Sequence, residues 1–174
     1  MSTIPYDLKN IKAVIFDIDG VLSTDVIPLS SNGDPMRTAN IKDGYAIHLA
    51  CKKGLTIGII TGGKTESVRV RYTTLGVPHV YMAARDKKVE FADFLQKTGY
   101  KAEEVAYMGD DIPDFEVMQM VGLAACPADA APEIRAIAHY VSHKKGGEGC
   151  GRDLLEQILK VKGLWMADAE AFGW

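Results

Sequence analysis

Ala13-Val14-Ile15-Phe16-Asp17-Ile18-Asp19-Gly20 reads as a short strand that ends on two carboxylates and a glycine. Four consecutive apolar residues suit a strand covered on both faces, and Gly20 lets the chain turn directly after the acids. Working outward, five more apolar runs of strand length appear: Leu55 to Ile60, His79 to Met82, Val105 to Met108, Leu123 to Cys126 and Tyr140 to Ser142. The intervals carry apolar residues at three- and four-residue spacing, which predicts helices over Gly44 to Lys53, Thr65 to Leu75, Lys87 to Thr98, Pro113 to Met120, Pro132 to Ala138 and Arg152 to Val161. Gly54, Gly76 and Gly99 fall just past three of these, where left-handed C-caps are wanted.

Strand alternating with helix predicts an α/β protein, a Rossmann-like, mostly parallel sheet with helices on both faces. Parallel connections are right-handed, so the loops after the strands gather on the carboxyl edge of the sheet, where an active site is expected. Val21 to Ile41 breaks the alternation. Two short extended runs flank Ser31-Asn32-Gly33-Asp34, and Asn-Gly predicts a type I′ β-hairpin, an arm of about residues 21–41 projecting from the sheet. Such an arm is marginal alone, so it is expected to pack on another subunit.

A chain of 174 residues predicts one domain, 1–174, and 47% hydrophobic with 25% charged residues is ordinary globular usage. Twenty basic against twenty-three acidic side chains give a net charge of -3, which excludes a uniform positive field for nucleic acid or an anionic membrane. Cys51, Cys126 and Cys150 match neither a disulfide framework nor a zinc site. Met1 to Asn10 lacks the apolar core of a signal peptide, and no apolar run is long enough to span a bilayer, so a cytoplasmic protein is expected.

The next strands also end in polar groups: Thr61-Gly62 after the second, Asp86-Lys87 after the third, Gly109-Asp110-Asp111 with Asp114 after the fourth. A parallel sheet brings those ends together. Clustered carboxylates repel unless protons or a hard cation compensate them, and an oxygen-rich site poor in His and Cys points to Mg2+. Phosphate ester hydrolysis is the chemistry that matches. Asp17 is placed as the nucleophile, and Asp19 as the acid that protonates the leaving oxygen and later activates water. Asp17, Asp110 and the main-chain carbonyl of Asp19 would hold the metal, Thr61 and Lys87 the phosphoryl oxygens. Asp111 or Asp114 would orient Lys87 or a water.

Asp-x-Asp-Gly-Val, Thr-Gly closing a strand, a lysine, and Gly-Asp-Asp-x-x-Asp together resemble the four motifs of the haloacid dehalogenase superfamily of phosphatases. More narrowly, Phe16 to Leu22, Asn40-Ile41-Lys42-Asp43-Gly44, Ile59 to Gly62, Asp86-Lys87, Val105 to Asp111 and Gly146 to Gly149 resemble the 3-deoxy-D-manno-octulosonate 8-phosphate phosphatases. That resemblance implies magnesium, a homotetramer whose neighbour covers the active site, and a sugar acid product used in lipopolysaccharide biosynthesis. It carries substrate contacts to Asn40, Ile41, Lys42, Asp43, Gly44, His48, Thr61, Gly62, Arg71 and Lys87. Many members have an arginine after Thr-Gly where this chain has Gly63, so a nine-carbon sugar acid 9-phosphate is the alternative substrate. Forty residues lie between Gly20 and Thr61 and twenty-five between Thr61 and Lys87, too few for a cap domain in either interval.

Two other readings compete. Gly58-Ile59-Ile60-Thr61-Gly62-Gly63-Lys64-Thr65 fits the letters of a nucleotide-binding P-loop, but Gly58 to Ile60 complete a strand and leave a loop too short to wrap a triphosphate. A receiver-type phosphoacceptor domain wants its aspartate at a middle strand end, where this order offers Thr61. Gly146 to Gly151 reads as a helix-entry loop, and the aromatic tail of Trp165, Phe172 and Trp174 is expected to dock on a subunit.

Overall fold

The computed structural model describes residues 4–174. Six strands, β1 (Ala13–Phe16), β2 (Thr56–Ile60), β3 (His79–Tyr81), β4 (Val105–Met108), β5 (Leu123–Cys126) and β6 (Tyr140–Val141), form one sheet in the order β3-β2-β1-β4-β5-β6. Every pairing is parallel. The predicted strands therefore exist with bounds shifted by at most one residue.

Alternation along β1 separates the two faces. Val14 and Phe16 join a core with α1 (Ile41–Lys52), α2 (Glu66–Thr74) and α6 (Cys150–Val161), while Ala13 and Ile15 pack against α3 (Lys87–Thr98), α4 (Phe115–Met118) and α5 (Pro132–Ile137). Both faces are covered, which is why all four β1 residues are fully buried. The chain lays down β1, β2 and β3 in one direction and then returns to place β4 on the other side of β1. This reversal opens a crevice at the carboxyl ends of β1 and β4, the position where open α/β sheets bind ligands.

Three local expectations are corrected. Helix α1 begins at Ile41 and not at Gly44, because the Asn40 side chain accepts from the Lys42 and Asp43 amides and caps it. The segment predicted over Pro113 to Met120 splits into a 3-10 turn, Ile112–Asp114, followed by the short α4. In the arm, antiparallel pairing amounts to one bridge, Leu29 with Pro35, flanked by Ser30 N–H to Asp34 O and Met36 N–H to Pro28 O. Gly33 takes φ +83°, but Asn32 stays at negative φ and Ser31 lies inside the loop. The result is a three-residue connection and not the two-residue type I′ turn, which needs both central residues at positive φ.

The C-terminal tail folds onto α1 of its own chain. Trp165 and Trp174 meet the Tyr45 ring edge-on, Trp174 stacks on His48, and Lys53 pairs with Asp168 and Glu170. All three cysteines are free thiols, and Cys150 is buried with its Sγ donating to Val21 O. Among the described residues no helix is long and apolar enough to cross a membrane.

Candidate active site

The crevice holds a cavity of about 400 Å³, lined by Asp17, Asp19, Gly20, Asp25, Gly62, Ala84, Arg85, Lys87, Asp110, Asp111, Pro113 and Asp114. Asp17 extends β1, its own N–H bonded to Met108 O, and its Oδ1 accepts from the Ile18 amide at 2.7 Å. Lys87, the first residue of α3, lies 2.8 Å from Asp17 Oδ2 and 2.7 Å from Asp114 Oδ1. Asp114 also accepts from the Tyr107 hydroxyl at 2.7 Å and from the Asp110 amide at 3.0 Å. Asp114 is thus the residue that orients Lys87, and Asp111 is exposed at the rim.

Asp17, Asp110 and Asp114 each offer an oxygen within 4.8 Å of the others. One ammonium does not offset three carboxylates. Burial and then repulsion from Asp114 push Asp17 up to about 7 despite Lys87. Burial and repulsion from Asp17 push Asp110 up to about 8. Burial alone would lower the Lys87 ammonium, and the Asp17 and Asp114 charges outweigh it and raise it. Asp110 Oδ1 is buried with no partner. An orphaned oxygen beside an uncompensated acidic cluster fits a hard, oxygen-preferring cation. Asp17 and Asp110 are the side chains with capacity left for it, since each Asp17 oxygen has one contact and Asp110 Oδ1 has none, whereas each Asp114 oxygen already accepts from two donors.

Gly20 makes this crowding geometrically tolerable. Its φ is +78°, and a Cβ there would lie 1.9 Å from Asp110 Oδ2. The loop Gly146–Gly149 buttresses the same turn. A Cβ on Gly146 would meet Gly20 O at 2.0 Å, and the Gly147 amide donates to Val21 O at 2.8 Å. Its glycines serve close backbone packing, as a helix-entry loop allows.

Thr61 is buried next to Gly62, which lines the cavity, and its Oγ1 accepts from the Gly63 amide at 3.0 Å. The loop's polar groups are consumed locally, with Thr61 O and Gly63 O accepting from Ala84 and Ala83. Gly58 to Ile60 lie within β2, so the loop between β2 and α2 is too short to wrap a triphosphate, and Lys64 is exposed. The substrate contacts expected at Asn40, Ile41, Lys42, Asp43, Gly44, His48 and Arg71 lie outside the cavity. Asn40 caps α1 and donates to Gly147 O. Asp43 is buried, its Oδ1 accepting from the Arg152 amide in the first turn of α6, and burial pushes it up to about 6. Gly44 admits the Arg71 guanidinium, which a Cβ would meet at 2.4 Å. Ile41 and Lys42 are exposed on the first turn of α1, and His48 contacts Leu75 O and Trp174.

Sequence reasoning missed Asp25, Arg85 and above all Arg37. Arg37 comes from the arm and grips Asp19 with two nitrogens, Nε to Oδ1 at 2.6 Å and Nη2 to Oδ2 at 2.9 Å. No local pattern marks it, because the contact depends on how the arm returns. Ala83, at φ 56° in the loop between β3 and α3, is the nearest backbone irregularity, next to the cavity residues Ala84 and Arg85.

Comparison with known proteins agrees with this geometry. Residues 80–152 match the haloacid dehalogenase-like hydrolase family. The 3-deoxy-D-manno-octulosonate 8-phosphate phosphatase of Salmonella typhi is 40% identical over 155 residues, 89% of this chain and 82% of its own length. The crystal structure of the phosphatase of that name from Yersinia pestis superposes with a TM-score of 0.87 at 36% identity, over 90% of this chain and 85% of that one. The Moraxella catarrhalis phosphatase, solved with a magnesium ion, a phosphate ion and a KDO molecule, superposes with a TM-score of 0.86 at 30% identity, over 90% and 91%.

Proposed function

This chain belongs to the 3-deoxy-D-manno-octulosonate 8-phosphate phosphatases, within the haloacid dehalogenase-like hydrolases, and we propose that it hydrolyses that ester to the free sugar acid and phosphate. Mg2+ is the cofactor, and Asp17, Asp110 and the Asp19 carbonyl would hold it. The observation that carries the reading is the convergence of Asp17, Asp110 and Asp114 on one point with Lys87 between two of them.

The cation, when bound, supplies charge neutralisation for the phosphoryl oxygens. Asp17 is the nucleophile: the Ile18 amide and Lys87 hold its two oxygens in fixed directions, so attack requires little reorganisation. Its Oδ–P bond forms as the bond from phosphorus to the sugar oxygen breaks. The Asp19 carboxyl passes its proton to that oxygen, then takes one from the water that displaces Asp17 and releases phosphate. Lys87 keeps a positive charge beside the transferring group, held in place by Asp114. Thr61, at the end of β2 next to the cavity residue Gly62, offers its hydroxyl to the phosphoryl oxygens, its Oγ1 steadied by the Gly63 amide.

The working form is a homotetramer in the cytoplasm, with a neighbour covering the cavity. Support comes from apolar side chains on the arm, Val26, Leu29 and Met36, which are 81%, 65% and 51% exposed. The three free thiols suit a reducing compartment.

The test is phosphate release with and without Mg2+ from octulosonate, nonulosonate and hexose phosphates, with Asp17→Asn as control. Preferred turnover of the octulosonate ester, lost with EDTA and in the variant, is expected. Equal rates on hexose phosphates would overturn the substrate assignment, and sedimentation as a monomer at assay concentration would overturn the tetramer.

A further inference from the structure

Arg37 lies outside every motif that marks the site, yet it is the side chain most tightly bound to the proposed acid. Its guanidinium meets Asp19 as a two-point fork, and its third nitrogen, Nη1, donates to Thr65 Oγ1 at 3.0 Å. The Arg37 side chain is 8% exposed against 40% for Asp19. Arg37 therefore supports the carboxylate from behind. It lines the clefts on either side, with Gly62 to Thr65 and with Ser67, Val68, Arg71 and Tyr72, but not the carboxylate cavity.

The backbone that carries Arg37 is anchored independently. The Thr38 amide donates to Ser23 Oγ at 3.0 Å, and the Thr24 amide donates to Thr38 Oγ1 at 3.2 Å. Ser23 is fully buried and itself bridges to Asp19. The guanidinium also needs the space at Gly63, where a Cβ would lie 2.7 Å from Nη2. Buried stem, tied backbone, reserved space and a planar fork fix the plane and direction of the carboxylate that takes the water's proton, and when Asp19 carries the proton for the leaving oxygen one limb of the fork releases while the other keeps that direction.

We propose that Arg37 is a positioning residue for the acid–base step: the arm holds Asp19 at the leaving oxygen through it, so that the arm is part of the catalytic apparatus. This rests on the assignment of Asp19 as acid and base. The chemistry is that of the proposed reaction, with the Asp19 proton going to the sugar oxygen as its bond to phosphorus breaks. Arg37 touches neither substrate nor phosphorus. Its contribution should follow how much the leaving group needs a proton. A sugar alkoxide needs one, whereas a nitrophenolate leaves without help.

Steady-state kinetics on 3-deoxy-D-manno-octulosonate 8-phosphate and on 4-nitrophenyl phosphate, for wild type, Arg37→Ala and Gly63→Ala, test the proposal. Arg37→Ala should lower kcat on the sugar ester by about 10²-fold, the lower end of what general acid catalysis supplies, with KM within about twofold. On the aryl ester the loss should stay within about threefold, and guanidinium ion at tens of millimolar should restore part of the sugar-ester rate. Gly63→Ala, which displaces the guanidinium and keeps its charge, should show the same split even if Arg37→Ala folds poorly. Equal losses on both esters, a rise in KM alone, or faster turnover would each overturn the proposal. The wild-type rate on the octulosonate ester tests the functional reading separately. If that rate is absent, any alkyl phosphate the enzyme hydrolyses serves for the comparison.

Discussion

Replacing Lys87 by Met tests the central electrostatic argument, because it removes the cation and keeps most of the buried stem. Lys87 is 5% exposed and lies 2.7–2.8 Å from two carboxylate oxygens. Breaking a buried pair by deleting one partner costs about 3–5 kcal/mol. The carboxylates left behind can limit that cost by binding protons. Asp17 already sits near 7 and Asp110 near 8 with Lys87 present, and without it both move higher. A folded-state value above the unfolded one means that the fold favours the protonated acid. Stability from these groups is then complete below about pH 4 and declines as pH rises through 7 and 8. The deficit should therefore be largest at pH 8, about 3 kcal/mol, and smaller at pH 5.5. For a chain of this size that is a fall in Tm of about 6–12 °C at pH 8. Mg2+ at a hundred times its Kd returns about 2.7 kcal/mol and should raise the variant at least as much as the wild type. Thermal melting of both proteins in EDTA and in Mg2+, at pH 5.5 and pH 8, measures all of this. A variant melting with the wild type in EDTA at pH 8, or a deficit that grows at acid pH, would refute the reasoning.

Asp17→Asn should abolish phosphate release yet change Tm in EDTA by less than about 3 °C, because relief of carboxylate repulsion offsets the weakened contact to Lys87; melting and turnover on one preparation check it. Gly20→Ala should cost about 1–2 kcal/mol in strain at φ +78° and weaken Mg2+ about tenfold by displacing Asp110, read by melting and by metal titration. Asn40→Ala should lower Tm by about 2–6 °C through loss of the α1 cap with KM within twofold, and a tenfold rise in KM with unchanged Tm would return Asn40 to the substrate. Wild-type enzyme in EDTA should lose stability between pH 5 and pH 8, and saturating Mg2+ should flatten that slope, as melting curves across the range will show.

The strands were legible because their signal is local. Four apolar residues ending on Asp17 identify β1 without knowledge of its neighbours, and the rule that parallel loops share one edge brings Asp17, Lys87 and Asp110 together with no known strand order. Asn-Gly at positions 32 and 33 misled because the pair constrains φ at two residues only when the loop has two. Here Ser31 adds a third, and Gly33 alone takes positive φ. The start of α1 was readable from Asn40 as a cap but was hidden by Gly44, which looks like a helix breaker and is a packing site for Arg71. Arg37 left no signal at all, since its partner is eighteen residues away across an irregular arm.

The segment Asn40 to Gly44 shows how a motif can lie outside the cavity and still bear on catalysis. Asn40 caps α1 with its oxygen and, with its nitrogen, holds the carbonyl of Gly147. The Gly147 amide in turn holds Val21, and Gly146 packs on the carbonyl of Gly20. Asp43 ties the same helix to the first turn of α6, directly after that glycine loop. Gly20 is the residue over which the Asp110 carboxylate sits, and Asp19 immediately precedes it. The two helix starts therefore clamp the turn that carries Asp19 and faces Asp110. Substitutions at Asn40 and Asp43 are therefore expected to act at least in part through the geometry of this turn, beside any contact with substrate.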